Sequence, residues 1–253
     1  MFPEMIKEDF KNPILASVAA TFPMALMLLS TYIKPFIGVG AKYIWYFAIG
    51  LHIILIVYFT IKFLLKLQMP KVFASYFIVY VGIAVAAVTA PAFEELAIGA
   101  GAFWFGFLTL IGLLVLVTIR YMKYKEIPEP AKPLFCIYAA PTSLCVAGYV
   151  QSVTPKSREF LLAMLLVATV LYVLALVKAI SYLKLKFYPS YAAFTFPFVI
   201  SAIATKQTMV CLANMKQPMP MLQYVVLIET VIAVLFMIYT FIRFLQFIFV
   251  DHK

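Results

Sequence analysis

Charged residues are scarce in this sequence: they make up 12% of its 253 residues, where soluble domains carry about one-quarter. So little charge cannot keep a surface wetted, which excludes a water-soluble globular fold. Cysteine is rarer still. Cys136, Cys145 and Cys211 share no metal-ligand spacing and cannot build a disulfide framework, which leaves them as small core residues. The sequence also lacks metal-ligand pairs, a nucleophile–base constellation, a phosphate-cradling glycine loop and paired intramembrane aspartates. Neither an enzyme nor a cofactor or metal is expected.

What is present is apolar. Hydrophobic residues make up 66% of the chain and fall in runs of about 20 or more, the length a helix needs to cross a hydrocarbon core of roughly 30 Å. Charged and turn residues bound eight expected spans, at about 14–33, 43–65, 72–91, 97–119, 134–151, 159–182, 191–212 and 222–250. The intervening loops are short, so consecutive helices are antiparallel neighbours. The expected fold is an all-α polytopic membrane protein: one transmembrane domain over 1–253, with hairpins at about 12–66, 72–120, 133–183 and 189–250. The first run follows a mixed-charge start (Lys7, Glu8, Asp9, Lys11) and shows no cleavage-site pattern, so it is expected to stay as a span.

Basic residues choose the orientation. Of 20 Lys and Arg, 14 lie with the termini and the loops near 66–72, 120–133 and 183–190, or in the helix turns leading to them. The other side holds Lys34, Lys42, Lys156, Arg158, Lys206 and Lys216. The positive-inside rule then places both termini in the cytoplasm, with the chain in a bacterial-type plasma (inner) membrane. It also accounts for the net charge of +10, so no nucleic-acid partner is expected.

Helix breakers form a repeat. None of the 15 prolines falls inside the second helix of any hairpin, whereas Pro23, Pro141 and Pro197 lie well inside first helices. Aligned without gaps, 73–82 (FASYFIVYVG), 132–141 (KPLFCIYAAP) and 188–197 (YPSYAAFTFP) each end in a breaker, and Thr21-Phe22-Pro23 echoes Thr195-Phe196-Pro197. Pro23, Gly82, Pro141 and Pro197 stand 59, 59 and 56 residues apart, a hairpin-length period. Each proline removes an amide and crowds the carbonyl four residues back, so the Ala19, Ile137 and Ala193 carbonyls are expected to be freed or displaced. At membrane depth such backbone is tolerated only where protein buries it or water solvates it. The first helices are therefore expected to ring a pore and the uninterrupted second helices to meet lipid. The alternative is that the prolines only kink helices for packing. The residues before the breakers, Phe22, Val81, Ala140 and Phe196, would form one layer, with Phe22 and Phe196 as candidate gates that close the path by exclusion and dewetting.

The stretch Phe187-Tyr188-Pro189-Ser190-Tyr191-Ala192-Ala193-Phe194-Thr195-Phe196-Pro197 resembles a motif of the tellurite-resistance and dicarboxylate transporter family. That family includes bacterial channels, yeast malate and sulfite transporters, and the slow anion channels of plant guard cells. Ala139-Ala140-Pro141 with Gly148-Tyr149, Tyr80-Val81-Gly82, and Asn12-Pro13 leading to Thr21-Phe22-Pro23 agree with it, so the resemblance covers nearly the whole chain. It implies helical hairpins in quasi-symmetric array, proline-kinked inner helices around a pore, often a trimer, and a gating phenylalanine at Phe196. The family pattern has ten spans in five hairpins. Stepping back 59 residues from Pro23 lands before Met1, so the N-terminal hairpin is the unit expected to be absent.

Anion preference without a basic pore is expected from amide donors and helix-terminal dipoles aimed at the lumen, helped by the hydroxyls of Thr21, Thr142, Ser143, Thr195 and Ser201. The alternative for several of these is a bond to a carbonyl of their own helix. Glu229 is the clearest charged group inside a span and His52 the clearest imidazole; each reads either as a proton site or as a packing partner between helices. The leading expectation is a channel or uniporter for small inorganic or organic anions. The alternatives are a proton-coupled transporter of dicarboxylate, sulfite or tellurite-type anions, and a non-conducting truncated member.

Overall fold

The computed structural model describes residues 2–249, and these form helices and turns with no strand among them. Seven helical runs are long and apolar enough to cross a membrane: Pro13–Ile37, Gly40–Leu64, Leu96–Lys123, Glu129–Ser152, Arg158–Tyr182, Pro189–Asn214 and Leu222–Phe249. They cover seven of the eight expected spans; residue 250, the expected end of the last, lies outside the described residues.

The eighth expected span, 72–91, differs. It consists of short helices, Tyr76–Tyr80 and Ala84–Thr89, with a 3-10 turn at Ala90–Phe93. The cause lies at Gly82. The amides of Val81 and Gly82 both bond the Phe77 carbonyl, at 2.9 and 3.3 Å, and those of Ala84, Val85 and Ala86 then reach back only three residues. One turn of α pattern is lost. A Cβ at 82 would stand 2.1 Å from the Ile78 carbonyl oxygen and 2.7 Å from Met24 Sδ, so only glycine fits.

The chain divides into two compact units, residues 1–125 with 151–154, and residues 126–150 with 155–253. The first unit holds α1 (Phe2–Asp9), α2 (Pro13–Val18), α3 (Thr21–Ile37), α4 (Gly40–Phe59), α5 (Tyr76–Tyr80), α6 (Ala84–Thr89) and α7 (Leu96–Lys123). Asn12 starts α2 by accepting the Ile14 amide at 2.9 Å, with Pro13 in the first position, where a missing N–H costs nothing. Here α3 packs on α4 and α6 on α7. Two small residues let α6 and α7 close up: a Cβ on Gly106 would touch that of Ala84 at 3.3 Å. The second unit is built from α8 (Ala140–Ser152), α9 (Arg158–Tyr182), α10 (Phe196–Asn214) and α11 (Leu222–Phe249), preceded by 3-10 segments at Glu129–Ala139 and Pro189–Phe194. Its core joins Tyr172, Tyr191, Phe194, Phe198 and Phe236 with Cys136 and Ala139.

Burial separates the two helix classes as the breakers do. The interrupted runs Pro13–Ile37, Glu129–Ser152 and Pro189–Asn214 bury 39, 89 and 56% of their most apolar windows. The proline-free Gly40–Leu64, whose last turn is π-helical, Leu96–Lys123, Arg158–Tyr182 and Leu222–Phe249 bury 17, 28, 33 and 22%. Their Leu, Ile, Val and Phe side chains point outward, as on a surface made for acyl chains.

Candidate functional site

Pro23, Pro141 and Pro197 do not kink continuous α-helices. Each stands in the first turn of a fresh helix, with a turn or a 3-10 segment before it. Pro23 is the third residue of α3, after a turn at 19–20; Pro141 and Pro197 are the second residues of α8 and α10. The first turn is where a residue without an N–H is tolerated. The displaced carbonyls follow from this. That of Ala19 accepts the Phe22 amide at 3.1 Å, and that of Ile137 accepts the Ala140 amide, each a shortened i to i+3 bond. Thr195, at φ −96° and ψ −86°, breaks the third; the Phe198 and Val199 amides both bond its carbonyl at 3.2 Å, passing over Ala193.

Within the first unit, Pro23, Val81 and Gly82 are buried, whereas Thr21 is exposed and Phe22 is 60% exposed. Gly82 meets Met24, the neighbour of Pro23, and His52 of α4. His52 is fully buried. Its Nε2–H donates to the Val79 carbonyl at 2.9 Å, one turn before the break, and its Nδ1 has no partner among the described residues.

Within the second unit, Ala140, Pro141 and Pro197 are buried, and Phe196 and Thr195 are half-buried. Ser143 and Ser201 bring the two breaks together, their hydroxyl oxygens 3.0 Å apart. Ser143 lies 2.9 Å and Ser201 3.3 Å from the Ala139 carbonyl, and Ser201 is 2.9 Å from that of Pro197.

The five candidate pore hydroxyls thus divide. Thr21 donates to Val18 at 2.8 Å and Thr195 to Ala192 at 2.7 Å. Ser143 and Ser201 are committed as above. Thr142, 2% exposed, has no hydrogen-bond partner among the described residues.

Glu229 on α11 is 4% exposed, and its Oε2 is unpartnered among the described residues. Beside it lie the Thr205 hydroxyl of α10 and the Tyr172 hydroxyl of α9, the latter also buried and unpartnered. The Tyr172 ring meets Phe198 edge-on at 5.5 Å, two residues from Phe196. The sequence reading missed Tyr172, Thr205 and Thr208. The signal was the spacing of Ser201, Thr205 and Thr208, which falls on one face of a helix. All three are buried.

No curated protein matches the chain. A family profile described as voltage-dependent anion channel matches residues 1–245, nearly the whole length and the same family the Phe187–Pro197 motif resembles. The members of that family are anion channels and transporters set in the lipid bilayer, and the seven apolar runs make this chain an integral membrane protein. The breaks, the buried first spans and the match over 1–245 lead to one assignment: the chain belongs to the voltage-dependent anion channel family.

Proposed function

We propose that the chain passes small anions through a path lined by its broken first spans, with Phe196 as the gate and Phe22 as its counterpart. The observation that carries this reading is the recurrence of helix breaks at Pro23, Gly82, Pro141 and Pro197, two in each unit, all buried. Such breaks redirect backbone groups at membrane depth, where they are tolerated when protein buries them or water solvates them, and broken spans beside a watery path provide both. Val81 and Ala140 sit beside the breakers with small apolar side chains, which fits a narrow layer closing by dewetting. In this reading the chain works as a homo-oligomer, a trimer by analogy with the family. Its termini are cytoplasmic because 14 of the 20 basic residues lie on their side, and the membrane is a bacterial-type plasma membrane. Flux of chloride, nitrate, sulfite and malate from proteoliposomes, with no proton gradient, tests it.

A second reading is favoured by the unpartnered Oε2 of Glu229 and Nδ1 of His52: proton-coupled transport of dicarboxylate, sulfite or tellurite-type anions. Uptake that collapses with the proton gradient, and again in Glu229→Gln, supports this reading; steady flux without a gradient supports the channel.

A further inference from the structure

We infer that the Thr142 hydroxyl is the side-chain donor that hydrogen-bonds the passing anion in the second unit, an inference that rests on the passage proposed above. Thr142 stands on the first turn of α8, directly after Pro141. A threonine there ordinarily turns its hydroxyl back onto the carbonyl three or four residues earlier, as Thr21 and Thr195 do. For Thr142 the nearer of these is Ala139. That carbonyl already accepts from the Ser143 hydroxyl at 2.9 Å, with the Ser201 hydroxyl 3.3 Å away. The serines of the two breaks thus crowd this acceptor, and Thr142 Oγ1 has no hydrogen-bond partner among the described residues.

A hydroxyl that is 2% exposed and unpartnered is unusual, because a buried donor without an acceptor carries its desolvation penalty in full. Valine has the same shape and no such penalty. The hydroxyl is explained when a transient acceptor arrives. Thr142 stands where the 3-10 segment gives way to a 13-residue α-helix, and a small anion is the acceptor that the proposed passage would bring to it. One neutral donor suits a monovalent anion such as chloride or nitrate, and it binds weakly enough to release it. Ser143 and Ser201 are committed to carbonyls, so the selectivity of this stretch rests on one side chain.

The test is nitrate and chloride flux from liposomes holding the full chain, with Thr142→Val and Thr142→Ala, which lack the hydroxyl, and Thr142→Ser, which keeps it. The two hydroxyl-free variants are expected to pass both anions about five- to tenfold more slowly, the worth of one net hydrogen bond, with Thr142→Ser near wild type. Wild-type rates in either hydroxyl-free variant, or an equal loss in all three, overturn the assignment while the passage reading stands. Absence of flux in the wild type removes the passage reading, and this inference with it.

Discussion

Ser143 Oγ and Ser201 Oγ lie 3.0 Å apart, buried, and tie together the two breaks that follow Pro141 and Pro197. Either serine alone still reaches the Ala139 carbonyl, so each can partly stand in for the other. Ser143→Ala and Ser201→Ala are each expected to cost about 1 kcal/mol. The double variant should lose more than the two single losses added together, by about 0.5 kcal/mol or more. Reversible unfolding of the detergent-solubilised protein measures it, and strict additivity removes the shared role.

Gly82 has no room for a side chain: an added Cβ would stand 2.1 Å from the Ile78 carbonyl oxygen. Gly82→Ala is expected to destabilise by about 1–3 kcal/mol, as overpacking does. Gly112, within α7, has nothing within 4 Å of an added Cβ, and Gly112→Ala is expected to be neutral or slightly stabilising by helix propensity. Melting temperatures of the two variants side by side check the contrast.

His52 closes the Val79 carbonyl beside the Gly82 break, at 2.9 Å. His52→Phe fills the space without a donor and is expected to cost about 1–3 kcal/mol, whereas His52→Gln, which keeps an N–H, is expected to recover part of it. If stability is untouched in His52→Phe but flux loses its dependence on a proton gradient, the residue is a proton carrier and not a fastening.

Glu95 fastens the loop before α7 to α4. Its Oε1 lies 2.5 Å from Lys42 Nζ and 2.5 Å from the Tyr46 hydroxyl, and bonds from Lys42 first and Tyr46 second hold its carboxyl below the usual carboxylate range. A depressed folded pKa stabilises above the unfolded value, and that contribution is lost as pH falls through the folded one. The melting temperature is therefore expected to fall on acidification below about pH 4 by less in Glu95→Gln than in wild type. Equal slopes in the two proteins contradict it.

Much of this was legible in the residues. Hydropathy marked the spans because the bilayer imposes a length on any helix that crosses it, and the 59-residue spacing of the breakers marked which helices are interrupted. The form of the interruption was not legible. A breaker predicts a lost bond, but whether a helix bends or stops and restarts depends on partners distant in sequence, such as His52, 27 residues from Val79, beside the Gly82 break. The hydroxyls show the same limit. Thr142 and Thr195 look equivalent as pore donors, yet Thr195 bonds the Ala192 carbonyl, whereas the Ala139 carbonyl behind Thr142 faces Ser143 and, 62 residues away in sequence, Ser201. Glu229 stood out as a charge in an apolar run, while Tyr172 beside it looks like any aromatic residue until α9 and α11 are packed.

The gate is tested most directly by anion current across bilayers containing the purified chain, wild type against Phe196→Ala, at equal protein and without a proton gradient. Removing the half-buried ring after the Thr195 break is expected to raise the current about tenfold or more, since about 1.4 kcal/mol off a barrier is a factor of ten. An unchanged current from a variant that folds and inserts as wild type does contradicts the proposal.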